Sequence, residues 1–103
     1  MKKKVVEGFA RRMDHVVWKT VEGKGILLNL EDGAYFDVDS VGLSVWQLCD
    51  GRTTLNQIVL RTSRTFKTDP ERVSKDIQGF VSELKRRRLV EIVPTPNRAV
   101  ARP

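Results

Sequence analysis

The chain has 103 residues, 40% hydrophobic, 31% charged and 7% aromatic. That profile describes one globular domain with a modest core, and it excludes both a disordered chain and a large enclosed active site. The net charge of +6 points at first to nucleic acid, but residues 1–14 carry +3 of it, residues 84–103 carry +5, and residues 15–83 carry −2.

Taken in chain order, residues 1–12 read as a basic extension. Met1–Lys4 resembles the charged start of a signal peptide. No apolar run follows, because Glu7, Arg11, Arg12 and Asp14 interrupt it. Phe9 and Met13 could anchor the segment. A domain is expected over residues 13–93. Val16-Val17-Trp18 and Thr20-Val21 are β-branched or aromatic and predict a first strand. Glu22-Gly23-Lys24-Gly25 reads as a turn, and Ile26–Leu30 as a second strand. Asp32-Gly33 is a hairpin signal, since glycine tolerates the positive φ that tight hairpin turns demand. Ala34–Val38 is the third strand, and the three together predict an antiparallel meander.

After Val38 the period changes to a helical one. Val41, Val45, Leu48 and Cys49 recur at helical spacing beside Trp46, with Asp39 or Ser40 as cap. Asp50-Gly51 stops this first helix. Thr54-Leu55-Asn56-Gln57 has the form of a capping box and opens a second helix carrying Leu55, Ile58 and Val59. The third helix starts at Asp69-Pro70, where the missing proline N–H costs nothing, and bears the stripe Val73, Ile77, Phe80, Val81 and Leu84. Leu89–Val93 is either a short closing strand or an extended segment lying on the helices. Residues 94–103, with Pro94, Pro96 and Pro103, read as a flexible tail. The fold class is therefore α+β: a three-stranded antiparallel sheet followed by three helices that share one core.

Catalysis finds little support. His15 and Cys49, each the sole residue of its type, fall on different elements, and a buried apolar role suits Cys49. Ser82-x-x-Lys85 is a chance spacing on an exposed helix face. Asp32, Asp37, Asp39 and Asp50 stand at turns and caps, where aspartate is common. No cofactor and no metal are expected. One cysteine excludes an internal disulfide and suits a reducing cytoplasm. No stretch approaches a membrane span.

The sharpest basic cluster is Lys85-Arg86-Arg87-Arg88. Cations at a helix C-terminus are favoured by the helix dipole, so phosphate contact is the second explanation. The helix N-terminus reads Asp69-Pro70-Glu71-Arg72, with two acids where a DNA-reading helix contacts bases. Two features favour a peptide partner. The third strand ends a meander and leaves an edge that could accept an added strand. Gly79 interrupts a good helix at a cost of roughly 1 kcal/mol, which either a bound peptide or a neighbouring helix at close approach would explain.

A set of spaced residues then resembles the PqqD-like family, that of the pyrroloquinoline quinone biosynthesis protein D. The set is Leu27-Leu28, Gly33-x-Tyr35-x-x-Val38-Asp39-x-x-Gly42-x-x-Val45-Trp46-x-Leu48-x-Asp50-Gly51, Thr54-x-x-x-Ile58, Asp76-Ile77-x-x-Phe80-x-x-x-Leu84 and Leu89-Val90. Its most specific part is Trp46…Asp50-Gly51 placed after Gly33-x-Tyr35. The resemblance implies a winged-helix-like domain that is not an enzyme and binds the leader of a ribosomally made precursor peptide as a strand beside its third strand, against the third helix. It implies presentation of that peptide to a modifying enzyme, such as a radical SAM protein, or to a leader peptidase. By position, Tyr35, Phe36, Asp37 and Val38 would receive the peptide, and Arg72, Lys75, Asp76 and Gly79 would line the helix side; Trp46 belongs to the core. Two residues depart from the family pattern. Asp39 stands where asparagine is usual, and Arg88 where glycine often precedes the final Leu-Val. The alternatives are a winged-helix nucleic-acid binder using the basic end of the third helix, and a structural subunit of a larger enzyme. The strand edge could also pair two copies as a homodimer.

Overall fold

The computed structural model describes residues 8–96. Their order is β1 (Phe9–Arg12), β2 (Val16–Val21), β3 (Lys24–Asn29), β4 (Tyr35–Val38), α1 (Ser40–Leu48), β5 (Asp50–Thr54), α2 (Leu55–Phe66), α3 (Pro70–Arg86) and β6 (Val90–Val93). The α+β class holds, with the expected meander and three helices. The first seven residues, and 97–103 of the expected tail, lie outside the described residues.

The meander is the sheet β2-β3-β4, antiparallel throughout. Its first turn is tighter than the four residues expected. Glu22 and Gly23 both take positive φ, 50° and 81°, the geometry of a two-residue hairpin loop whose twist matches the strands it joins. The second connection is the longer loop 30–34. Gly33, at φ 75°, donates to Asn29 O, and Asn29 N–H donates to Ala34 O. The helix starts follow the sequence closely. Asp39 accepts from Gly42 N–H to cap α1, and Thr54 and Gln57 form both halves of the capping box on α2. Asp69 occupies the cap position of α3, but its side chain makes no capping bond.

A second sheet, ordered β5-β1-β6, was not foreseen. It corrects the first boundary: Phe9–Arg12 is not part of an extension but the central strand of this sheet, antiparallel to β6 on one side and to β5 on the other. Leu89–Val93 resolves toward its strand alternative, and Asp50–Thr54 is a strand where a helix stop alone was expected. Neither β1 nor β5 advertises itself. Of Phe9-Ala10-Arg11-Arg12 only Ala10 is fully buried, and Asp50-Gly51-Arg52-Thr53-Thr54 begins with two poor strand formers.

One core joins both sheets to the helices. Leu27 and Val38 enter it from the meander, Val45 and Trp46 from α1, Ile58 from α2, Val73, Ile77, Val81 and Leu84 from α3, and Ala10 and Val90 from the second sheet. Gly25 is needed for this packing, because a Cβ there would lie 2.9 Å from the side chains of both Leu43 and Val38. Trp46 is fully buried, as expected, and meets Trp18 edge to face at 6.3 Å between ring centroids. Arg12 lies over both rings and donates to the carbonyls of Trp46 and Gln47, so it satisfies the C-terminal end of α1.

Candidate functional site

The site begins with an unpaired edge. Among the described residues β4 pairs only with β3, in the register Leu28↔Tyr35, Leu27↔Phe36, Ile26↔Asp37 and Gly25↔Val38. Ala34 O accepts from Asn29 N–H. In an antiparallel ladder the direction of the backbone groups alternates. Phe36 and Val38 therefore turn their N–H and C=O toward β3, while Tyr35 and Asp37 turn theirs to the free edge. The side chains alternate the other way. Phe36 and Val38 face the helices; Tyr35 and Asp37 face away.

Beside this edge runs an open groove of about 470 Å³. Phe36 and Val38 of β4 line it, with Asp39, Val41, Gly42 and Val45 leading into α1, and Asp76, Ile77 and Phe80 from α3. Gly42 keeps its floor compact, since a Cβ there would stand 3.1 Å from Val38 Cβ and 3.3 Å from Phe80 Cζ. At one end Phe36 and Phe80 stack with centroids 6.3 Å apart, and the Arg87 guanidinium lies 4.6 Å from the Phe36 ring centroid. Glu83 accepts from Arg87 at 2.7 Å and from Arg86, and these two bonds, Arg87 first, hold its carboxyl below the usual range. The result is an apolar trough with the stacked phenyl rings and arginine at one end and the Asp39 and Asp76 carboxylates at the other.

The residues expected from sequence fall into three groups. Phe36, Asp37, Val38 and Asp76 line the groove, and the backbone of Tyr35 faces the edge beside it. Arg72 and Gly79 stand on the neighbouring exposed stripe of α3, within about 60° of Asp76 at 3.6 residues per turn. Lys75 is turned about 100° from Asp76 and about 140° from Phe80, away from the trough. Among the described residues no atom outside α3's own backbone stands within 4 Å of where a Gly79 Cβ would be, so none of the described helices accounts for that glycine. Val41 and Val45 were read only as a helix stripe, yet they form a third wall. An i, i+4 apolar pair looks the same whether it faces a core or a groove, so no sequence signal separates the two.

The other candidates have structural duties. His15 Nε2 donates to Arg88 O at 2.9 Å, and the buried Asn29 donates to Arg87 O at 3.1 Å, so both close the C-terminus of α3. Arg88 pairs with Glu31 at 3.2 Å. Three of the four residues in the basic cluster are thus engaged within the fold, as helix-end cations. Cys49 is fully buried, and burial pushes its thiol up to about 12 against the opposing effect of Arg12, so it is no nucleophile. Burial also works to raise the Asp50 carboxyl, but hydrogen bonds from Arg52 N–H and from the hydroxyl and N–H of Thr53 prevail and hold it low. No helix of the described residues is long and apolar enough to cross a membrane.

A second groove, of about 310 Å³, lies on the opposite flank of α3 between α2 and β6, floored by Leu55, Val59, Ile77, Val81 and Ile92. β6 is also an edge strand, but it ends at Pro94, which has no N–H to extend a ladder.

The sequence model of one family, Coenzyme PQQ synthesis protein D (PqqD), matches residues 24–90. The chain belongs to the PqqD family. A curated relative from Rhizobium meliloti (strain 1021), the PqqA binding protein, is 33% identical over 73 residues, covering 71% of this chain and 72% of the relative. Among solved structures, TbiB1 in complex with the TbiA(beta) leader peptide superposes with a TM-score of 0.71 at 29% identity, covering 79% of this chain and 94% of that one. The PqqD truncation of PqqCD from Methylobacterium extorquens, a stand-alone recognition element for ribosomally synthesised and post-translationally modified peptides, gives 0.67 at 31% identity, covering 80% and 87%. The matched span runs from the start of β3 to the start of β6, so it contains β4, α1 and α3, the three elements that build the groove.

Proposed function

We propose that the chain is a peptide-binding chaperone. It takes the leader of a ribosomally made precursor peptide as an added strand on β4, and holds it for a modifying enzyme, such as a radical SAM protein, or for a leader peptidase. Its part is recognition without catalysis, in the cytoplasm where such a precursor is made. The observation that carries this assignment is the conjunction of a free strand edge with an apolar groove along the same strand. The Rhizobium relative described as binding PqqA and the leader-bound TbiB1 structure support it.

The two parts of the site divide the work. An extended peptide pairs its backbone with Tyr35 and Asp37, which gives affinity that any sequence can share. Every second peptide side chain then points into the trough over Phe36, Val41, Ile77 and Phe80, and that is where one leader is told from another. Arg72, Asp76 and Gly79 stand at the helix rim. A groove open to solvent suits a transient complex, since the enzyme must receive the peptide in turn.

Calorimetry with the leader peptide of the precursor encoded beside this protein tests the assignment. Asp37→Pro removes an N–H that points to the free edge, a position where an edge strand tolerates proline, so the fold should survive. Loss of one ladder bond should weaken binding at least about fivefold, or ~1 kcal/mol. Val41→Asp places a carboxylate in the trough at an exposed position and should weaken it further. Equal affinity of Asp37→Pro and wild type would mean that the peptide lies elsewhere, the β6 flank included.

A further inference from the structure

The meander has a second face, and the groove does not use it. Leu27, Val38 and the Trp18 ring mark the inner face, which meets the core. The strand registers therefore set out the outer face in cross-strand rows. One row reads Val17–Leu28–Tyr35, the next Lys19–Ile26–Asp37, and the last, at the β2–β3 hairpin, Val21–Lys24. Tyr35 is 69% exposed, Val17 46% and Ile26 37%. Leu28 is shielded only because it lies between Val17 and Tyr35 on the central strand. A sheet face of this kind is a contiguous apolar patch rather than scattered single residues. It is bounded in the second row by a cation on one edge strand and an anion on the other. Among the described residues neither Lys19 nor Asp37 makes an ion pair. They stand roughly 10 Å apart, two strand spacings, too far to satisfy each other readily.

We propose that this face packs against the same face of a second copy, about a two-fold axis that runs along β3. That operation exchanges the positions of β2 and β4 and leaves each row opposite itself. Lys19 then faces Asp37 of the second copy and Asp37 faces its Lys19, while Ile26 and Leu28 each meet their own counterparts on the axis and Val17 meets Tyr35; Lys24, at the hairpin end of β3, also meets its counterpart, one like-charge pair set against two opposite ones. The self-complementary row is what selects a second copy as occupant and selects this axis. A two-fold across the strands instead would set the Lys19–Asp37 row against an apolar one, or each of its charges against its own copy. Sheets packed face to face lie about 10 Å apart and cross at about 30°, a span that a lysine and an aspartate bridge together near the centre of the contact. Three short strands present less than the ~800 Å² per partner of a standard interface, so the dimer is weak and concentration-dependent. The free edge of β4 lies to the side of the contact and stays open.

Sedimentation of the full chain between about 10 µM and 1 mM tests this directly. Wild type should shift from monomer toward dimer across that range. K19D and D37K, each alone, should remain monomeric, because each brings two like charges together on either side of the axis. An equimolar mixture of the two variants should dimerise again, since every K19D–D37K contact is complementary. Ile26→Cys should be linked to its own counterpart by a short bis-maleimide, whose reach spans the gap of about 10 Å between the sheets that a disulfide would not. Both charged sites are exposed, and circular dichroism checks that the variants are folded. A wild type that stays monomeric at 1 mM would overturn the proposal and leave the face to a different protein. So would single variants that dimerise like wild type, or a mixture that fails to associate. Leader binding by monomer is measured separately in the micromolar range, so failure here leaves the peptide assignment standing.

Discussion

Arg88 occupies a backbone position suited to glycine. Its φ is 65°, its N–H donates to Lys85 O, and Leu89 N–H donates to Leu84 O. This is a Schellman ending with the left-handed residue just past the helix. The departure seen in the sequence, arginine before Leu89-Val90, thus falls on a residue whose side chain is a steric burden. A non-glycine residue in this conformation costs on the order of 1 kcal/mol, and the exposed pair with Glu31 returns between zero and about 1 kcal/mol. Arg88→Ala keeps the strained backbone and loses the pair, so it should be neutral or slightly destabilising. Arg88→Gly should be about 1 kcal/mol more stable than Arg88→Ala, read from urea midpoints at equal m. The carbonyls that His15 and Asn29 cap belong to Arg87 and Arg88 themselves and survive both changes. Equal midpoints would show that the turn relaxes at no cost to arginine.

Elements differed in how much of themselves the sequence displayed. α1, α2 and α3 were legible because their signals are local. A capping aspartate, a Thr54…Gln57 box and an i, i+4 stripe lie within a few residues of what they specify. The hairpins of the meander were legible for the same reason. β1 and β5 were not, because what makes them strands lies far away. Phe9 pairs with Val93 on one side and Thr54 on the other, and no pattern within four residues encodes that. The site was legible on its strand side and less so on its helix sides. Val41 and Val45 were hidden in a core-like pattern, and Lys75 was placed at a rim it turns away from. Gly79 is the element-scale remainder. It is exposed in the middle of α3 with empty space where a side chain would go. Gly79→Ala should therefore raise stability by up to about 1 kcal/mol. Gly79→Leu should also fold, but should weaken leader binding severalfold if the peptide passes over this rim. A Leu variant that binds as wild type does would remove Gly79 from the site.

At the scale of the molecule the question is what the charge of +6 does. Much of the excess lies in residues 1–14 and 84–103. Within the fold Arg11 pairs with Glu91, Arg86 and Arg87 with Glu83, and Arg88 with Glu31. The groove presents Asp39 and Asp76 to solvent beside an apolar floor, and the backbone edge of β4 is neutral. A complex formed there depends on ladder bonds and apolar burial, neither of which salt screens. Raising the salt from about 50 to about 500 mM should thus change leader affinity less than about fivefold. Four phosphate contacts from Lys85–Arg88 would instead lose on the order of a thousandfold over the same range. A steep salt dependence of leader binding, abolished by neutralising those four residues, would move the working surface from the strand edge to the helix end. A flat one would confine the basic residues to closing α3 and to slow, unspecific attraction of acidic surfaces.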